Sequence, residues 1–205
     1  MFADMKEFLS STKIIESDAD EIVVLAASLA VSGNATETAK RCFEWVRDNV
    51  SHSFDAGADK VTCSATSVLR ERTGICYAKT HLLAALLRAN AIPAGFGYQR
   101  LALDDGANSF CLHGFNFVYL EEFGCYAVDP RGNREGIATS FDPPKVSLAF
   151  AANLPGEKTY DEIFPDPLPA VIESLMVNST VEQLRAALPD WDENKADLMP
   201  ALRLS

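Results

Sequence analysis

The sequence predicts an α+β domain in which helices come first and an antiparallel sheet follows, with one central helix packed on that sheet. Three observations predict it. Apolar residues recur three or four apart through the first third of the 205 residues. The stretch from Cys76 to Asn90 is apolar on most sides, the mark of a helix buried in a domain core. Beyond Pro93 the period changes to alternating or continuous runs of Phe, Tyr and Val, joined by short turns that favour antiparallel neighbours.

The elements follow in order. Ser17-Asp18 and Asp20-Glu21 precede Ile22, Leu25, Ala26, Leu29 and Ala30 at helical spacing. A second helix starts near Asn34-Ala35-Thr36-Glu37, and Ala39, Cys42, Phe43, Val46 and Val50 form its apolar stripe. Residues 51–59 read as a polar loop, and 65–72 as a short helix that Thr73-Gly74 breaks. The core helix runs from Cys76 to Asn90, with Pro93 as its stop signal. Strands are expected over 95–103, 110–120 and 124–129. Asp104-Asp105-Gly106-Ala107-Asn108 and Glu121-Glu122-Phe123-Gly124 are the turns between them. Four prolines between 151 and 169 suggest an extended arm crossing the surface, followed by short helices over 170–177 and 180–188. The whole chain, 1–205, reads as one domain with a core over about 34–135 and a C-terminal arm with short helices over 136–205.

Composition narrows the function. Apolar residues are 48% and charged residues 23%, ordinary values for a globular chain. Lys and Arg total 18 against 29 Asp and Glu, a net charge of −11, which argues against nucleic acid and against anionic membranes as partners. The longest apolar run, 22–31, falls short of the ~20 residues of a membrane span. With no secretory signal pattern at the N-terminus, the expected location is cytoplasmic. Five cysteines, an odd number without C-x-x-C, argue against a disulfide framework and a zinc cluster, and no metal or cofactor is expected. Asn34-Ala35-Thr36 and Asn178-Ser179-Thr180 read as helix caps.

One cysteine holds a privileged place. Cys76 opens the core helix, where unpaired N–H groups and the positive dipole end favour a thiolate, the nucleophilic form. Gly74 just before it would let a substrate carbonyl approach closely, and the Cys76 backbone N–H is a natural oxyanion donor. Of the three histidines, only His113 lies in a strand pattern. The next predicted strand ends in Asp129. A short turn makes the two strands hairpin partners, so Asp129 could accept the Nδ1–H of His113 and leave Nε2 for the thiol. The order is Cys, His, Asp.

The run Thr73-Gly74-Ile75-Cys76-Tyr77-Ala78-Lys79-Thr80-His81-Leu82, continuing to Ala94, resembles the nucleophile helix of transglutaminase-like proteins of the bacterial papain-like kind. Leu112-His113-Gly114-Phe115-Asn116 is similar to that family's histidine strand, and Ala127-Val128-Asp129-Pro130 to its aspartate motif. The resemblance covers residues 40–135. It implies a papain-like core whose Cys76-His113-Asp129 triad acts on amide bonds of peptides or proteins through a thioester. Members include transglutaminases, proteases and other amidases, and some are inactive. Tyr77 stands where animal transglutaminases have Trp, and no D-x-D-x-D-G calcium loop is present. The family's side-chain oxyanion donor lies upstream of the cysteine, where His52 and Ser53 are the candidates.

Each reading has a plainer rival. Cys76 could be a buried structural thiol and Asp129 a turn cap before Pro130. His81, about 140° round the helix from Cys76, is expected to be structural. Asn116, three residues from His113, should face the opposite side of the strand. The reading adopted is a thiol-dependent amide hydrolase or acyltransferase. Hydrolysis is favoured over transfer because water is abundant and transfer needs a groove for an amine. The alternatives are a catalytically silent scaffold that binds peptide or protein, and a true protein-glutamine amine transferase. Substrate identity and oligomeric state stay open at this point.

Overall fold

The structure, a computed structural model, describes residues 5–103, 109–191 and 202–203. It opens with a 3-10 turn, Glu7–Leu9, then α1 (Asp20–Leu29) and α2 (Ala35–Asn49). Asn34 caps α2 as expected: its side-chain oxygen accepts the Glu37 N–H at 2.8 Å. The other N-x-T triplet divides its work. Asn178 stands at the C-terminal end of a later helix and donates to Ser174 O, while Thr180 does the N-capping of the next.

The stretch 51–59, expected to be a loop, is partly ordered. Ser51–His52 forms β1, followed by a single turn of helix, α3 (Ser53–Ala56). After α4 (Ala65–Glu71) comes β2 (Thr73–Gly74), where only a helix break was expected. β1 and β2 pair in parallel, placing His52 beside Gly74. A two-residue pair has no room for a hydrophobic period, so patterning could not reveal it.

Helix α5 (Cys76–Ala89) is buried along nearly its whole length, as its composition requires. It packs against α1, α2 and α4 and against the sheet. The sheet holds β3 (Ala94–Ala102), β4 (Phe110–Leu120) and β5 (Gly124–Val128), close to the expected bounds. The expected turn Asp104-Asp105-Gly106-Ala107-Asn108 lies outside the described residues. β6 (Lys158–Thr159) completes the antiparallel order β5-β4-β3-β6. Even-numbered positions of β4, such as Leu112 and Val118, join the core around α5. Odd positions, Phe115 and Phe117, face a second cluster with Phe8 and Ile163. Gly97 makes room for that second layer, since a Cβ there would lie 2.6 Å from the Phe115 ring.

The proline-rich arm does more than cross the surface. It contributes β6 and β7 (Glu162–Ile163), and Phe164 exchanges backbone hydrogen bonds with Phe96 on β3. Tyr160, Ile163 and Phe164 are buried. The prolines flank these short pairings, Pro155 before β6 and Pro165, Pro167 and Pro169 after Phe164, where no ladder donor is needed. Helices α6 (Pro169–Val177) and α7 (Val181–Ala186) follow, the latter with a Thr180–Gln183 capping box. β8 (Leu202–Arg203) pairs with β7.

Candidate active site

The start of α5 is left open. Its N-cap, Ile75, has no side chain that can accept a hydrogen bond, so the first-turn N–H groups have no capping acceptor. Cys76 is the first helical residue. The dipole end and these free donors favour negative charge on its sulfur or on an oxygen held beside it.

His113 reaches Cys76 from the sheet. Strand parity puts it on the Phe115 side of β4, opposite the face that covers the body of α5. The β5 ladder covers β4 only over Asn116–Leu120, which leaves the His113 end beyond it. His113 Nε2 lies 2.7 Å from Asp129 Oδ2, and the ring also hydrogen-bonds the Cys76 side chain. This reverses the expected choice of ring nitrogen. Nε2, the far nitrogen, spans to Asp129, and Nδ1 is the one left for sulfur. Asp129 lies just past the end of β5, diagonal to His113 across the ladder, and Nε2 is the nitrogen that meets it.

The carboxylate is anchored independently of the histidine. Asp129 Oδ1 accepts the Arg131 N–H at 3.0 Å, and Oδ2 accepts the Ala149 N–H at 2.9 Å. Burial alone would raise its pKa, but the His113 charge and these hydrogen bonds outweigh burial and hold it below the usual carboxylate range. For His113 burial works the other way, against the cation. The charges of Asp129 and Cys76 and hydrogen bonds to both outweigh it, raising the imidazole from 6.5 to about 10. The Cys76 sulfur, an imidazole that keeps its proton and an anchored carboxylate are thus in one chain of hydrogen bonds.

The other expected residues divide. His52 lines the cleft beside Cys76; burial, helped by the charge of Arg131, pushes it down to about 3, so it is neutral, and its Nδ1 has no partner among the described residues. Ser53 turns away and bonds the Thr73 hydroxyl at 3.1 Å, so it is a structural link. Gly74 does not line the cleft. Its missing side chain makes room for the protein itself: a Cβ would lie 2.9 Å from Ala78 Cβ and 3.1 Å from Thr62 Oγ1. Tyr77 lines the cleft and is buried, and its hydroxyl donates to Leu112 O, tying the start of α5 to the residue before His113. His81 is fully buried, with Nδ1 2.7 Å from Cys63 O, and Asn116 spans from Thr80 O to Gly95 O.

Several residues at the site carry no signal in the sequence. Arg131 is buried and makes a bidentate pair with Asp55. The ring of Phe150 meets His113 edge-on, with centroids 5.0 Å apart. Lys79, one turn along α5 from Cys76, is fully buried and donates to Val50 O and Arg47 O at the end of α2. A cationic residue in a core helix pattern was the only clue to the last. The five cysteines are unpaired. Among the described residues there is no cluster of three or more metal-type ligands, and no helix is long and apolar enough to cross a membrane.

A buried helix that begins with a thiol, laid against an antiparallel sheet that delivers an imidazole, defines a papain-like architecture. A model of the transglutaminase-like superfamily matches residues 24–130, just over half of the sequence, and the chain belongs to that superfamily. No curated protein matches. Among solved structures, one of a candidate cysteine protease from Cytophaga hutchinsonii is similar, with a TM-score of 0.51 and 23% identity over 64% of this chain and 43% of that one. A candidate protease from Parabacteroides distasonis gives a TM-score of 0.42 and 20% identity over 60% of this chain and 26% of that one. The chain therefore spans less than half the length of either neighbour.

Proposed function

We propose that the protein is a thiol-dependent hydrolase of amide bonds in peptides or proteins, with Cys76 as nucleophile, His113 as proton donor and acceptor, and Asp129 holding the ring. The observation that carries the reading is the linked set Cys76, His113, Asp129 at the open end of a helix. Sγ, attacking as the thiolate, bonds to the amide carbon, and the C–N electrons leave with nitrogen, which takes the proton from His113 Nδ1. The result is a thioester. Water then attacks it and gives His113 a proton, and the thiolate departs. The developing oxyanion is met by the Cys76 N–H and, as side-chain donor, by neutral His52. The Nε2–H bond to Asp129 keeps Nδ1 directed at sulfur through both steps.

The decisive test is Cys76→Ala. Turnover of an amide substrate should fall by about 10³-fold or more, and unchanged turnover would remove the assignment. A second reading, a silent scaffold that binds peptide, is favoured by the low exposure of Cys76, 9%, and of His113, 4%. Labelling separates the two. Burial raises Cys42 and Cys111 to about 12 and Cys63 to about 11, and also raises Cys125. Sub-stoichiometric iodoacetamide near pH ~6 should therefore mark Cys76, mapped by mass spectrometry. Label spread over the other thiols would favour the scaffold. The family core and the C-terminal arm together are read as one domain over 1–205.

A further inference from the structure

We propose that the cleft beside Cys76 is a side-chain subsite for a bulky apolar residue next to the scissile amide, so that the preferred substrates are apolar peptides and not acidic, basic or glutamine-bearing ones. The inference rests on the reading of Cys76 as the nucleophile and adds the substrate class. The cleft has a volume of about 400 Å³, within the ~300–1,000 Å³ of small-molecule sites. Beside Cys76 and His113 it presents Phe54, Leu101, Leu112, Phe150 and Leu188.

Its ionic groups are already engaged. Glu157 accepts the N–H groups of Ala102, Asn153 and Leu154 at 3.0, 2.9 and 2.8 Å. Arg131 is bidentate to Asp55. A charged substrate side chain would lose water there and find every ionic group of the lining already engaged, whereas an aromatic or aliphatic one would bury apolar surface against apolar walls. Two of those walls, Phe150 and Leu188, come from outside the matched residues 24–130. The preference thus belongs to what this chain adds to the shared core. Leu188 is held in place next to that core by the neighbouring Pro189 O, which accepts the Leu112 N–H at 2.8 Å, and by Asp190, which is bidentate to Arg100 at 2.7 Å.

The test is equilibrium binding, by fluorescence anisotropy, of dye-labelled glycine-rich hexapeptides that differ at one position, Phe, Leu, Gln, Asp or Lys, to the full-length Cys76→Ala protein. The Phe and Leu peptides should bind about tenfold tighter than the others, the size of a well-filled apolar pocket's discrimination. Leu188→Glu in the same background should weaken the Phe peptide and strengthen the Lys peptide. Equal binding, a preference for Gln, Asp or Lys, or no saturable binding of any peptide would overturn the proposal. If Leu188→Glu fails to fold, the series on the Cys76→Ala protein still decides. The two readings fail separately: a wrong binding order with Cys76-dependent turnover removes only the apolar subsite, and the right order with turnover that survives Cys76→Ala removes only the nucleophile.

Discussion

His113 links the Cys76 sulfur and the Asp129 carboxylate through its two nitrogens, and that fixes a pH signature. Its imidazole is raised from 6.5 to about 10, after burial is outweighed by Asp129 and Cys76. A raised folded value means that the charged pair's contribution to stability is full below 6.5 and is lost as pH rises through about 10. The urea midpoint of the wild type minus that of His113→Asn should therefore shrink steadily over that window, and a flat difference would contradict the linked set. Turnover should show an alkaline limb near 10, where the proton for the leaving amine is lost. The proposed order Cys, His, Asp was read from Cys76 at the start of a helix, His113 within a strand and Asp129 just past the end of the next strand. The choice of ring nitrogen was not, because it depends on a diagonal offset across a ladder that sequence spacing does not encode.

Between elements, the link that matters is the one from α5 to β4. Tyr77 donates from the first turn of α5 to Leu112 O, and Tyr77 is buried. Removing the hydroxyl leaves a buried carbonyl without that donor. Tyr77→Phe should lower stability by about 1–3 kcal/mol in urea titration. Turnover should fall with it, since Leu112 directly precedes His113. The helices, the three long strands and their order were legible from period and turn chemistry. The arm was legible only in part: Pro155, Pro165, Pro167 and Pro169 suggested an extended arm crossing the surface, yet Phe164 pairs with Phe96 and β6 extends the sheet. The pairing is set by tertiary contact, and two-residue strands carry too few positions for a pattern to register. The same reason hid β1 and β2, which set His52 next to the residue before the N-cap of α5.

Across the whole molecule, buried Lys79 fastens α5 to the end of α2. Its ammonium is drawn from 10.5 down to about 7, first by burial and then by Arg131, with Asp129, Asp48 and Asp55 pulling the other way. For a base whose folded value is depressed, the unfolded chain holds the extra proton between those values, so this group makes folding more favourable as pH rises from about 7 to 10.5. Lys79→Met lacks that dependence. The stability difference, wild type minus variant, should grow across the window, and a difference that stays level or falls would show that the amine remains charged throughout.

The Ala149 amide has a consequence for dissecting the protein. It clamps one oxygen of Asp129, yet it lies nineteen positions beyond the matched span that ends at 130. Cutting the polypeptide at that boundary would spare sulfur, ring and acid alike while stripping one of the carboxylate's two backbone donors and the aromatic edge against the imidazole. The three linked side chains and part of their brace are thus written in separate stretches of sequence.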